Sequence, residues 1–169
     1  MPDLAPLNGL SDADSRTALL RCCGASRWAD QMAARRPFAN ESELLAVATA
    51  IWRSLERADW LEAFAAHPKI GDLDTLRSKF AHTAEWSAQE QGGMSAAAEA
   101  TIQALAAGNR TYEMKFGHIF IVFATGKSAA EMLLLLNDRL KNDKPTELRA
   151  AAEEQRKITA LRLEKMVLR

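Results

Sequence analysis

Apolar residues recur every three or four positions along most of this chain, which is the spacing of amphipathic helices. The clearest stripe follows Asn40–Glu43, a stretch with the spacing of a capping box. Its members are Leu44, Val47, Ala48, Ile51, Trp52 and Leu55. The pattern predicts a helix that begins after Asn40 and turns one face towards the core.

Similar signals predict further helices, most of them opened by a polar or proline residue and closed by glycine or proline, and composition predicts the one that begins at Ala84. They run from Ser11 to about Cys23 before Gly24, from Ser26 to Pro37, from Trp60 to Ala66 after an Asp59 cap, from Ala84 to Ala107 with a restart at Asn109 after Gly108, from Ser128 to about Leu140, and from Pro145 to the C-terminus. Pro68 places His67 at a helix boundary, because the residue before proline avoids the α region. Asp72 and Asp74 are positioned to cap the segment after this boundary.

The stretch 116–123 breaks this pattern with an apolar, β-branched and aromatic run. A lone strand has no partner elsewhere in the sequence, so we expect a buried segment, either helical or extended. Only 8 glycines and 5 prolines punctuate the 169 residues, which argues against a many-stranded β fold. We predict a single all-α domain over residues 1–169.

The chain carries 22 basic and 22 acidic residues, so its formal net charge is zero. Broad nucleic-acid or anionic-membrane binding usually needs a basic excess, and we expect neither. The N-terminal stretch MPDLAPLNGL lacks the features of a secretion signal, and no apolar run approaches the ~18 residues of a membrane span. We expect a cytoplasmic protein whose adjacent Cys22 and Cys23 are free thiols on a helix.

Several chemical motifs are incomplete. Gly126-Lys127-Ser128 resembles the end of a phosphate-binding loop, but Ile121 stands where that motif needs glycine. The histidines His67, His82 and His118 show no metal-ligand spacing. Neither a nucleotide site nor a metal site is predicted.

Three places remain as candidates for chemistry. His67 at a helix C-terminus would feel the negative end of the helix dipole, which raises the pKa of an imidazole; the alternative is a simple capping histidine. Ser87 and Glu90 share a helical turn and could bind a polar ligand, although S-x-x-E is also a capping box. Arg162 follows Ile158 by one turn and could hold a carboxylate, or lie along the edge of the core.

Taken in order, these residues resemble the 2-oxo-4-hydroxy-4-carboxy-5-ureidoimidazoline (OHCU) decarboxylase family. The matching blocks are His67-Pro68-Lys69-Ile70-Gly71, Ser87-x-x-Glu90-Gln91, Asn109-x-x-Tyr112-x-x-Lys115-Phe116-Gly117 with the following apolar run, Arg139-Leu140 with Asn142 and Glu147, and Lys157-Ile158 with Arg162-Leu163. The resemblance covers about residues 10 to 168.

The resemblance implies an all-helical, cofactor-free homodimer that converts a small anionic substrate, OHCU, into (S)-allantoin in urate degradation. It assigns catalysis to His67, Glu90 and Arg162. It assigns substrate binding to Pro68, Ser87, Gln91 and the backbone of Ile121, Val122, Phe123 and Ala124. The alternative is a helical ligand-binding or interaction module without catalytic activity.

Overall fold

The structure is a computed structural model that describes residues 1–68, 72–80 and 95–168. Within these ranges the regular secondary structure consists of α-helices and includes no strand. In chain order they are α1 (Ala5–Asn8), α2 (Asp12–Leu20), α3 (Ser26–Ala34), α4 (Glu41–Ser54), α5 (Arg57–Ala65), α6 (Leu73–Phe80), α7 (Ser95–Phe116), α8 (Ala129–Leu140) and α9 (Lys144–Val167). The predicted all-α fold class is confirmed.

The chain groups into two compact units. Unit 1 comprises Met1–His67 with Ala151–Arg169, and unit 2 comprises Pro68–Ala150. Helix α9 begins in unit 2 and continues into unit 1. The expectation of one domain over residues 1–169 stays a prediction, because this grouping does not test which parts fold independently.

Side-chain caps open several helices where the sequence predicts them. The Ser11 hydroxyl accepts the Asp14 N–H at 3.1 Å, and the Asn40 side chain accepts the Glu43 N–H at 2.9 Å. Ser128 begins α8 in the same way through Glu131. Each cap satisfies an N–H group that has no partner inside the helix, which fixes where the helix begins.

Ser26 and Asp59 are not the N-caps that the sequence predicts, because each lies inside its helix. Ser26 is the first residue of α3, and its N–H and hydroxyl both bind the Glu62 carboxylate, at 2.8 and 2.7 Å. Asp59 lies inside α5, where its carboxylate accepts the Glu56 N–H at 3.1 Å. Helix α5 therefore begins earlier than the sequence predicts.

Gly108 does not end a helix, contrary to the prediction. Helix α7 continues through Gly108 and Asn109 to Phe116, and Gly117 follows with a φ of +80°. A Cβ on Gly108 would lie 2.6 Å from Cδ2 of Leu136 in α8. This glycine therefore allows two helices to pack closely, and Gly117 adopts the left-handed conformation that ends α7. The predicted beginning of this helix, residues 84–94, lies outside the described residues.

Two buried tryptophans organise the core of unit 1. The indole N–H of Trp28 donates to the Ala48 carbonyl at 3.1 Å, and that of Trp52 donates to the Ala152 carbonyl at 2.9 Å. These bonds satisfy polar groups that burial would otherwise leave unpaired. All members of the predicted α4 stripe, from Leu44 to Leu55, are buried as expected.

The core of unit 2 forms where α6, α7 and α8 pack together. Its buried members include Leu76, Ile102, Tyr112 and Leu136. Residues 119–124 are neither helix nor strand, and Phe120, Val122 and Ala124 pack against this core. The helical alternative for this apolar run is therefore wrong.

Gly24 is expected to tolerate no side chain. A Cβ there would lie 2.3 Å from the Cβ of Ala66, a methyl group that cannot move without its backbone. We expect Gly24→Ala to lower the free energy of unfolding by about 1–3 kcal/mol, measured by urea denaturation. Ala66→Gly in the same chain should restore most of that loss, with Ala66→Gly alone as the control. Equal stability of Gly24→Ala and the wild type would contradict this packing argument.

Candidate active site

His67 lies two residues beyond the end of α5, and its N–H bonds to the Phe64 carbonyl at 3.2 Å. Its imidazole Nε2 is 2.5 Å from Oε1 of Gln155 in α9. The half-buried ring is thus held by a side chain 88 residues further along the chain. The His-Pro corner presents the ring as the sequence predicts, and the partner is a residue that the sequence did not single out.

Gln155 continues into a buried chain of hydrogen bonds. Its side-chain amide donates to the Thr159 hydroxyl at 3.1 Å, and Thr159 lies near enough to the Cys23 thiol to lower the pKa of that thiol. Gln155 is fully buried and Thr159 nearly so. The spacing of Gln155, Thr159 and Arg162 places all three on one face of α9, and that spacing is the signal that could have identified them.

The pKa of His67 lies below its ordinary value, not above it as the helix-dipole argument predicts. Burial is the main cause, because it penalises the charged imidazolium. The positive charge of Arg162 lowers the pKa further, and the hydrogen bond to Gln155 opposes both effects. Desolvation outweighs the dipole here, so His67 is a neutral base at pH 7.

Arg162 lies in α9, in the same unit as His67, and is close enough for its charge to act on that ring. Its guanidinium Nη1 donates to the Cys22 carbonyl at 3.5 Å, and the residue is exposed. The structure therefore brings two of the predicted catalytic residues together. The exposed guanidinium has donors left for an anion.

Cys22 and Cys23 are free, buried thiols in the turn after α2 rather than on a helix. Burial raises the pKa of both thiols to about 11, so both are uncharged at neutral pH. The prediction of unbridged thiols is confirmed. Their neutrality leaves Arg162 without a nearby thiolate partner.

Several predicted site residues lie outside the described part of the chain. They are Ser87, Glu90 and Gln91, together with residues 69–71 of the His-Pro block. Their assignments stay predictions. Pro68 is described and exposed.

In unit 2, the predicted binding segment Ile121–Ala124 is held by a buried carboxylate. Glu147 is fully buried and accepts from the Tyr112 hydroxyl at 2.6 Å, from Arg139 Nε at 2.5 Å and from Asn142 Nδ2 at 3.0 Å. Arg139 also donates through Nη2 to the Ile121 carbonyl at 2.9 Å. The carboxylate therefore orients the guanidinium, which holds the backbone of the segment.

Most carbonyls of this segment already accept hydrogen bonds. Besides the Ile121 carbonyl, that of Phe123 accepts from Lys127 Nζ at 2.8 Å, and that of Ala124 accepts the Lys127 N–H at 3.0 Å. Within the described residues, the N–H groups of Ile121 and Val122 have no hydrogen-bond partner. The segment can therefore offer donors more readily than acceptors to a ligand.

The described residues offer neither a metal site nor a membrane span. No group of three or more His, Cys, Asp and Glu side chains there could hold a metal ion. None of the described helices combines the length and apolar character needed to cross a membrane.

Comparison with known proteins gives one consistent result. A family model described as OHCU decarboxylase matches residues 8–164. The uric acid degradation bifunctional protein TTL of Arabidopsis thaliana is 42% identical over 149 residues, which are 86% of this chain and 45% of that protein. The 2-oxo-4-hydroxy-4-carboxy-5-ureidoimidazoline decarboxylase of Amia calva is 32% identical over 78% of this chain and 75% of that protein.

A solved structure shows the same fold. The crystal structure of an OHCU decarboxylase in the presence of (S)-allantoin aligns with a TM-score of 0.72 and 38% identity. The alignment covers 94% of this chain and 99% of that one. The chain thus matches a complete decarboxylase structure, while it spans less than half the length of the Arabidopsis protein.

Removal of Arg139 tests the buried carboxylate in unit 2. Arg139→Met leaves the Glu147 charge without its cationic partner, and we expect a loss of about 3–5 kcal/mol in the free energy of unfolding. Adding Glu147→Gln should recover part of the loss. Lys141→Met, which removes an exposed ion pair with Asp138, is the matched control and should stay close to wild type. Urea denaturation measures the free energy of unfolding of each variant. Similar losses for Arg139→Met and Lys141→Met would contradict the proposed role of the buried ion pair.

Proposed function

This chain belongs to the OHCU decarboxylase family, and we propose on that basis that it decarboxylates 2-oxo-4-hydroxy-4-carboxy-5-ureidoimidazoline to (S)-allantoin in urate degradation. The family match over residues 8–164 carries the proposal. A decarboxylase structure solved with (S)-allantoin, which aligns over nearly its whole length, supports it. The His67 geometry supplies a base suited to that chemistry.

The substrate itself explains why such a reaction can proceed without an added cofactor. When the bond to the carboxylate breaks, its electron pair remains on the ring carbon and is delocalised into the adjacent C=N bond. The ring nitrogen takes up a proton, and an enol-like intermediate results. Loss of the hydroxyl proton and protonation of the neighbouring carbon then give the product carbonyl and set its configuration. The protein must therefore orient the carboxylate, accommodate three proton transfers and choose one face.

His67 and Glu90 are assigned the proton transfers. A neutral imidazole at pH 7 can accept the proton of the substrate hydroxyl, and the lowered pKa of His67 keeps it neutral. Glu90 shares this work as the second acid–base group. Such groups typically contribute about 10²–10⁴-fold to the rate.

Arg162 is assigned to the anionic or carbonyl end of the substrate. Its guanidinium is exposed, carries a fixed charge, and uses one donor on the Cys22 carbonyl. The remaining donors match the two oxygens of a carboxylate. Its charge would then both bind the anion and disfavour the protonated form of His67.

The remaining substrate contacts follow the family pattern. They are assigned to Pro68, Ser87, Gln91, Ile121, Val122, Phe123 and Ala124. A ureido group has both donors and a carbonyl acceptor. The N–H groups of Ile121 and Val122, which have no partner among the described residues, suit that carbonyl.

A homodimer and a cytoplasmic location complete the proposal. The first rests on the family resemblance, and the second on the reducing environment that two unbridged thiols favour. Sedimentation velocity tests the homodimer: a single species of about twice 18.6 kDa is expected, and a monomer at micromolar concentration would contradict it.

The proposal is tested with freshly generated OHCU, followed by circular dichroism. The wild type should produce a signed (S)-allantoin signal faster than the spontaneous reaction, which gives racemic product. Because His67 must be neutral to act as a base, kcat/KM should fall as the pH drops through a pKa below 6.5.

Two variants separate the proposed roles. His67→Asn should lower kcat by about 10²-fold or more. Arg162→Lys should weaken substrate binding, because lysine cannot make a bidentate contact. Arg156→Lys, on the same helix, is the matched control for the second variant. An unchanged racemic decay with the wild-type protein would overturn the proposal and favour a non-catalytic binding module.

A further inference from the structure

We propose that Gln155 is a positioning residue that holds His67 as the tautomer with its proton on Nε2, so that Nδ1 is the atom that exchanges protons with the substrate. The inference rests on the proposed function, which makes His67 a catalytic residue. It adds the atom that acts and the two side chains, Gln155 and Thr159, that select it.

The contact between the His67 ring and the Gln155 amide determines which ring nitrogen carries the proton. His67 Nε2 lies 2.5 Å from Oε1 of Gln155. An amide oxygen only accepts hydrogen bonds, so a neutral imidazole can make this contact only with the proton on Nε2. Nδ1 then carries the lone pair. Within the described residues, Nδ1 has no hydrogen-bond partner.

Thr159 orients the Gln155 amide. The nitrogen of the Gln155 side chain lies 3.1 Å from the Thr159 hydroxyl oxygen, and Thr159 lies near the buried Cys23 thiol. When the hydroxyl proton points at the sulfur, the Thr159 oxygen is free to accept from the amide NH₂. The amide oxygen is thereby directed at His67.

Burial makes this orientation durable. Gln155 and Cys23 are 0% exposed and Thr159 is 5% exposed. Water therefore cannot replace these partners, and turning the amide over would disrupt contacts at both ends. The hydrogen bond to Thr159 thus sets the orientation of the Gln155 amide, and the amide oxygen sets the position of the proton on His67.

The groups that face His67 favour a neutral base. Gln155 and the positive Arg162, both in α9, act on the ring through a hydrogen bond and a charge. A carboxylate at position 155 would also select the Nε2–H tautomer, but it would stabilise the imidazolium. The amide selects the tautomer without adding a negative charge.

Nitrogen NMR of the ring reads the tautomer directly. The chain has three histidines, so His82→Gln and His118→Gln variants assign the His67 signals. Above its pKa, the ring of the wild-type protein should show a protonated Nε2 and an unprotonated Nδ1. Thr159→Val should allow both tautomers to appear. Thr49→Val, a threonine of α4 outside this chain of hydrogen bonds, is the matched control and should keep one tautomer.

Kinetics then connect the tautomer to the reaction. Gln155→Leu should lower kcat by about 10- to 100-fold and change KM much less, because the ring remains present with its proton misplaced. Gln155→Glu should retain the Nε2–H tautomer and move the acid limb of the kcat profile to higher pH. The second variant keeps the size of the side chain and adds only a charge beside the ring, so a shift of the profile reports direct contact between residue 155 and the acting imidazole.

The outcomes separate the inference from the proposed function. A wild-type ring protonated on Nδ1, or a Gln155→Leu variant with mixed tautomers and full kcat, would overturn the inference while decarboxylation stands. An unshifted pH profile in folded Gln155→Glu would also overturn it. A wild-type protein with the expected tautomer and no turnover of OHCU would instead overturn the proposed function.

Discussion

The hydrogen bond between His67 and Gln155 is the constraint on which the geometry of the proposed site in unit 1 depends. It ties the corner after α5 to the middle of α9, and it joins a half-buried imidazole to buried polar side chains. Because the amide is fully buried, its hydrogen-bond partners are fixed, and the orientation of the His67 ring is fixed with them. The same helix face carries Arg162, whose charge lowers the pKa of the imidazole beyond the effect of burial. One face of α9 therefore contributes to the position and the protonation state of a single histidine, and in the inference above it also sets the tautomer.

In unit 2 a buried side chain likewise orients a second one, here through the ion pair between Glu147 and Arg139. Glu147 has no exposure, and it is compensated by Arg139, Tyr112 and Asn142 rather than by water. A buried carboxylate is tolerated only when its lone pairs are used in this way. Arg139 passes that order to the Ile121 carbonyl, in a segment that has no helix or strand of its own. Backbone that would serve a substrate is thus held by side chains.

Helix positions were predicted well where the signal is local. Caps such as Ser11 and Asn40 act within one turn, and the α4 stripe needs only the helical period. One error is local: Glu56 and Asp59 lie one turn apart, and α5 begins after Glu56 rather than after Asp59. The other errors arise where a distant residue decides. Ser26 is bound by Glu62 from another helix, and Gly108 meets Leu136 of α8 rather than ending α7. No spacing along the chain reports such a contact.

The all-α class, the family and the candidates His67 and Arg162 depend on residue types at fixed spacing, so the sequence is sufficient to predict them. The protonation of His67 depends on packing, which only the folded chain shows. The helix dipole acts locally and would raise the pKa of the ring, but burial and the charge of Arg162 lower it. Gln155 and Cys23 likewise acquire a role only when folding places them beside residues far away in the chain. Burial and charge proximity are properties of packing, and they outweigh the local effect that the sequence makes visible.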